Sequence, residues 1–184
     1  MKTQRPALRE QYIRQGLLTD AEARSSLKEA INFRGTCQDM CPEYERYQRE
    51  YERTLDKLEL LPGTSDRVDH ARAVKMYHRS AAGDEQPLPS DVRPPKVLLK
   101  TLDYLINEIL AKYPLEECHS FLRDRTRSIR QDFTLQNYRH DEAVVAHEMI
   151  ARYHIIAMHW MRSDENFAIH QEMEQLRKGV VIHF

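Results

Sequence analysis

The sequence predicts an all-α protein arranged as an α-solenoid of successive antiparallel helix pairs joined by short breaks. Three observations carry this. Apolar residues recur at spacings of three and four along most of the chain. No alternating strand pattern longer than a few residues appears. Only 5 glycines occur where average usage would give roughly thirteen, too few for turn-dense β architectures or Gly-rich phosphate loops.

Residues 1–18 carry scattered arginines and little periodicity, so they read as a mobile or docking N-terminal arm. Thr19 followed by Glu22 is a capping-box start, and Ala23, Leu27, Ala30 and Ile31 extend a helix to about Phe33, ahead of Gly35. Pro42 stands where a first helical residue would. Behind it Tyr44, Tyr47, Tyr51, Leu55 and Leu58 form one apolar stripe, with Glu43, Glu45, Arg46, Arg49, Glu50, Glu52 and Arg53 expected on a solvated surface. Leu61–Thr64 breaks that helix, and Ser65 with Asp69 reopens one to about Arg79 carrying Ala71, Val74 and Tyr77. From Ala81 to Pro95 four prolines and a glycine enforce an extended connection.

Pro95 then opens the most apolar stretch, in which Val97, Leu98, Leu99, Leu102, Leu105, Ile106, Ile109 and Leu110 cover more than half the helical circumference and predict a central helix. Cys118, Phe121, Leu122, Ile129 and Phe133 keep helical register, a long helix runs from about Asp141 to Arg162, and a last amphipathic one covers Asn166–Lys178, closed by Gly179. Tyr44, Tyr47, Tyr51, Leu102, Leu105 and Ile106 are the expected core.

The charge balance removes a globally basic nucleic-acid clamp, since 28 Lys plus Arg face 29 Asp plus Glu and the net charge is -1. A mean hydropathy of -0.72 and the lack of any run approaching ~20 apolar residues remove a membrane span. The start MKTQRPALREQYIRQ holds no apolar signal core, so secretion is not expected. An odd count of 3 cysteines points to a reducing compartment, nucleus or cytosol.

Few constellations carry chemistry. Cys37 and Cys41 form C-x-x-x-C, a spacing zinc sites use, but no second ligand pair accompanies them; buried structural thiols are the reading, with a redox thiol as the alternative. His147, His154 and His159 share one helix at spacings of 7 and 5, too far apart to share a metal or a proton. No nucleophile elbow or Walker loop is present. No catalytic residue, metal or cofactor is therefore assigned, and an enzyme using a reactive Cys or His is the distant alternative. The most informative charged feature is Arg123, Arg127 and Arg130 at i, i+4 and i+7, three guanidinium groups on one helix face. Their roles divide between intramolecular pairing with carboxylates and contact with RNA phosphate or an acidic partner.

Four strings then align in order and spacing: GTCQDMCPEYERY at 35–47, DHARAVKMYHRSAAG at 69–83, LPSDVRPPKVLLKTLDYL at 88–105 and RDRTRSIRQDFTLQN at 123–137. Together they resemble the SAC/GANP family (suppressor of actin; germinal-centre-associated nuclear protein) of nuclear mRNA-export scaffolds. The resemblance implies a helical domain of PCI type, whose first half would be residues 19–184, with further helices and a winged-helix module beyond. It implies a non-catalytic organising subunit of the transcription-and-export complex two at the nuclear pore. The partners implied are a second PCI-domain protein, a small acidic protein shared with the proteasome lid, the mRNA export receptor and RNA. A scaffold of another PCI assembly, proteasome-lid-like or centrosomal, is the rival. Cys37, Asp39, Cys41 and Pro42 match a C-x-D-M-C-P turn, Asp91 and Arg93 the S-D-V-R-P string, and Arg125, Gln131 and Asp132 the R-T-R-S-I-R-Q-D core. All read as fold-determining positions, some bonding between adjacent helices.

Overall fold

Helices form where the apolar repeat is sustained and stop at prolines and left-handed residues. The computed structural model describes residues 4–19, 33–79 and 85–180. Among them the α-helices are α1 (Arg5–Arg14), α2 (Glu43–Glu52), α3 (Pro95–Tyr104), α4 (Leu115–Leu135), α5 (Asp141–Trp160) and α6 (Ile169–Val180). The described residues hold no strand beyond an isolated bridge between Leu60 and Val68. The fold is all-α, as the periodicity predicts. The helix expected from Thr19 onward falls on 20–32, outside the described residues.

Pro95 sits in the first turn of α3, where a missing N–H costs no hydrogen bond, and Leu105–Leu110 prolongs that helix as a π-helical stretch. Leu98, Leu102, Leu105 and Ile109 from this element meet Phe121, Leu122, Ile129 and Phe133 of α4 and Ala146, Ile150, Tyr153 and Ala157 of α5 in one apolar core. The Pro95 helix is thus central, with Leu102 and Leu105 fully enclosed and Ile106 packed at the margin. α6 lies along α5 and runs through Gly179 to Val180, so that glycine does not end it. No described helix is long and apolar enough to cross a membrane.

The stretch from Phe33 to Arg93 departs from the helical expectation. α2 ends at Glu52 because Arg53 is left-handed at φ 56°, and Asp56 then accepts from the Leu58 amide at 2.9 Å to start a short 3-10 turn, Lys57–Glu59. The helix expected over Ser65–Arg79 is absent; residues 73–79 run extended. Tyr47 and Tyr51 are 41% and 86% exposed, while Glu45, Arg46 and Arg49 are the buried face of α2. The expected orientation of α2 is therefore inverted. The reason is ionic. Arg49 and Glu59 bond at 2.6 Å, a pair that ten further residues of straight helix would separate by ~15 Å.

Ahead of α2, Arg5 of α1 pairs with Asp91 at 2.5 Å and lies 4.1 Å from the centre of the Tyr44 ring. Leu8, Tyr12 and Ile13 pack against a small second core of Leu18, Phe33, Leu88 and Val92.

Candidate functional site

Two buried carboxylates organise the extended stretch. Asp132, fully enclosed on α4, takes Lys75 on Oδ1 at 2.6 Å and Arg93 on Oδ2 at 2.8 Å. Arg93, equally enclosed, also donates to the Met40 carbonyl at 3.1 Å and to Ser128 Oγ at 2.9 Å. Lys75 donates onward to the Asp91 carbonyl at 2.6 Å. Glu59, the second carboxylate, takes Arg49 at 2.6 Å and Arg125 at 2.8 Å, and accepts the Val74 amide at 2.7 Å. Burial would raise the Glu59 carboxyl, but Arg125 and Arg49 outweigh it and hold the group below the usual carboxylate range.

These side chains supply what a sheet ladder would otherwise supply. In residues 74–78 the Val74, Met76 and Tyr77 amides donate to Glu59, Glu45 and Asp124, the Lys75 carbonyl accepts from Ser128, and the His78 carbonyl accepts from Gln131. Backbone groups bonded in this way are unavailable for helix, which is why the segment is extended despite its helical spacing. Gln136 closes the same face, accepting from the Gly35 amide at 2.9 Å and donating to the Arg93 carbonyl at 2.9 Å.

The structure thus brings Asp91, Arg93, Arg125 and Asp132 to one side of α4, while Gln131, on another face of that helix, holds the His78 carbonyl. Asp91 pairs with Arg5 of α1, and the partners of Arg125, Gln131 and Asp132 outside α4 lie between Glu59 and Arg93 rather than on neighbouring α-helices. Asp39 and Pro42 lie beside it: Asp39 pairs with Arg46 at 2.9 Å, and the Pro42 carbonyl accepts the Arg46 amide in the first turn of α2. Glu45, Arg49, Glu59, Lys75, Ser128 and Gln136 are members that the sequence reading passed over. Arg125, Ser128, Asp132 and Gln136 fall at i, i+3, i+7 and i+11, a polar stripe that was open to view beside the apolar one.

Cys37, Cys41 and Cys118 are buried free thiols. Cys37 donates to the Asp39 carbonyl; Cys41 accepts from Arg49 at 3.3 Å, and burial pushes its thiol up to about 12. Such a thiol carries almost no thiolate at neutral pH and is a poor nucleophile. Among the described residues no group of His, Cys, Asp and Glu has the arrangement of a metal site.

His154 is enclosed on α5 and meets Glu172 of α6 at 2.5 Å. Burial holds the His154 imidazole below its usual range despite that carboxylate. Burial would raise Glu172, yet hydrogen bonds from His119 and His154 take it down to about 2. His147 bonds the Ala143 carbonyl at 2.7 Å.

The arginine stripe divides. Arg123 lies 3.2 Å from Glu172 and donates to Gln171. Arg130 donates to the Gln175 carbonyl at 2.9 Å and to its side-chain oxygen at 2.6 Å. Arg127 stacks 3.9 Å over the Tyr77 ring and takes no carboxylate among the described residues.

The SAC3/GANP family model matches residues 40–182, a range that contains every member of the buried polar frame except Gly35. SAC3 family protein 1 of Schizosaccharomyces pombe is 55% identical over 182 residues, 98% of this chain and 18% of that protein. Protein xmas of Drosophila melanogaster is 41% identical over 128 residues, 66% of this chain and 6% of that protein. SAC3 family protein B of Arabidopsis thaliana is 36% identical over 158 residues, 80% of this chain and 9% of that protein. The chain spans less than a fifth of the length of these relatives.

Proposed function

The chain belongs to the SAC3/GANP family, and from that premise we propose that it is a non-catalytic helical scaffold segment of an mRNA-export complex at the nuclear pore. In this reading it works in the nucleus, helping to hold a second PCI-domain protein, a small acidic protein of the kind shared with the proteasome lid, and the mRNA export receptor. RNA is a further ligand, reached through whichever stripe arginine stays accessible and free of carboxylates; Arg127 meets both conditions, whereas Arg130, also without a carboxylate, is buried.

One observation carries the non-catalytic part. The deeply buried carboxylates Glu59, Asp132 and Glu172 are each engaged by two or more cationic or imidazole partners. A carboxylate saturated in this way fixes geometry and has no free lone pair positioned to take a substrate proton. Rigid placement of surfaces is what such an interior supports.

Affinity purification of the intact protein from nuclei tests the reading. A PCI-domain subunit and a small acidic subunit should co-purify, the protein should mark the nuclear rim, and its depletion should retain polyadenylated RNA in the nucleus. Recovery instead of proteasome-lid or centrosomal subunits, with RNA export intact, would transfer the scaffold to the rival assembly.

A further inference from the structure

The face of α4 opposite the ionic frame borders a cavity of about 390 Å³ between α4, α5, α6 and the extended segment at Tyr77. Arg127 and Arg130 reach it from α4 and Lys178 from α6, beside His147 of α5, which burial holds below its usual range and so largely uncharged at neutral pH, and among the described residues no Asp or Glu lines it. Charge in this chain is balanced overall, so a concentration of cations at one cavity is a local arrangement.

Arg130 makes the site unusual. It is only 8% exposed, yet its two terminal nitrogens bond neutral groups, both on Gln175. A buried cation is normally neutralised by a carboxylate. Arg93, Arg49 and Arg125 all follow that rule here. Glu172 acts on Arg130 through space but is committed to His154, His119 and Arg123. Burial, with Arg127 close by, accordingly brings the Arg130 guanidinium down to about 10. Arg127 donates no hydrogen bond to any described residue, and neither does Lys178; Arg127 is instead held flat against Tyr77. Pre-positioned donors facing an empty, acid-free cavity are the arrangement that receives an oxyanion.

We propose that this cavity is a binding site for a phosphate-class oxyanion, presented as a monoester or as free phosphate. The cations converge from separate helices upon one space, which suits several oxygens on a single phosphorus. An RNA backbone, by contrast, needs a row of cations along a track. Such a row existed on α4 only in the sequence, because Arg123 is taken by Glu172. The proposal competes with an RNA contact at Arg127, and the oligoribonucleotide arm of the test separates the two.

Calorimetric titration of the full chain with inorganic phosphate and with a phosphoserine peptide, at ionic strength fixed with chloride, is the test. Saturable binding is expected, weakened about tenfold in Lys178→Ala and in Arg127→Ala, each of which removes one charged donor without emptying the core. Lys112→Ala, on an exposed pair with Glu108 remote from the cavity, should leave it unchanged. Phosphate should also raise the Tm of the parent chain, and raise that of Lys178→Ala less at the same concentration. Tighter binding of the peptide would identify a phosphorylated protein segment as the source, tighter binding of free phosphate a small molecule; both support the site. No saturation with either anion, or an affinity in both cavity variants unchanged from that of the parent chain, overturns it. So does a 5′-hydroxyl oligoribonucleotide that binds more tightly than the peptide and depends on the same residues.

Discussion

Around Leu102 and Leu105 the chain encloses only hydrocarbon, and around Glu59 and Asp132 it encloses charge. The α3–α5 core is closed by a force without direction, roughly proportional to area, so any side chain of suitable volume serves. The stretch from Phe33 to Arg93 is closed by bonds with direction. Each buried carboxylate there satisfies cations from different segments, and Arg49, Lys75 and Arg93 each span to a backbone carbonyl or hydroxyl beyond. Exchange of one member in the first region leaves a void or a squeeze. Exchange of one in the second leaves its partners charged, dry and unpaired.

The largest effect should therefore come from the ionic side. Asp132→Ala strands Lys75 and Arg93 together and should cost ~3–5 kcal/mol, read as the shift in urea midpoint. A loss near that of an exposed site would mean that water enters the frame and that the contrast is overstated. Leu105→Ala should cost ~2–5 kcal/mol, because its site is fully enclosed. Leu105→Met, which conserves volume, should cost less than ~1.5 kcal/mol. No comparable conservative exchange should exist at Asp132, so Asp132→Asn failing to rescue is the sharper form of the comparison.

Acid adds a third probe. Glu172 titrates near 2 in the folded chain against an ordinary value of 4.5. The unfolded chain thus takes up the proton first as pH falls. The stability this group contributes is fully present above about pH 4.5 and is lost progressively toward pH 2, up to ~3 kcal/mol in all. Glu172→Gln should flatten that part of a stability–pH curve; an unchanged acid limb would place the titrating group elsewhere, Glu59 being the next candidate.

Gly35→Ala should destabilise by ~1–3 kcal/mol, since an added Cβ would sit 2.3 Å from the Val92 backbone oxygen, which cannot step aside while Cys37 donates to it. The smallest effect should be Tyr51→Ala, within ~0.5 kcal/mol at a side chain 86% exposed. A large loss there would restore the apolar stripe of α2 as its inward face.

What the sequence by itself determined is the set of elements whose burial is apolar and periodic. Pro95 and the leucines behind it and Phe121 to Phe133 each carry enough hydrophobic residues at one spacing to specify both helix and inward face, whereas the helix from Asp141 is apolar on several sides and leaves Val144, Ile155 and Trp160 exposed. The four family strings were equally legible, because they are contiguous. What only the tertiary structure decided is which polar residues turn inward. Tyr44, Tyr47 and Tyr51 outnumber the apolar side chains opposite them, and by hydropathy alone they claim the core of α2. They lose it because Arg49 finds Glu59 across a reversal of the chain, Glu59 finds Arg125 on α4, and Val74 gives its amide to the same carboxylate. None of these partners is a neighbour in sequence. An isolated arginine and an isolated glutamate read as surface, and only their meeting, with the hydrogen bonds that saturate both, makes burial favourable. The same holds for Arg130, where the structure supplies neutral partners and an acid-free cavity in place of a carboxylate.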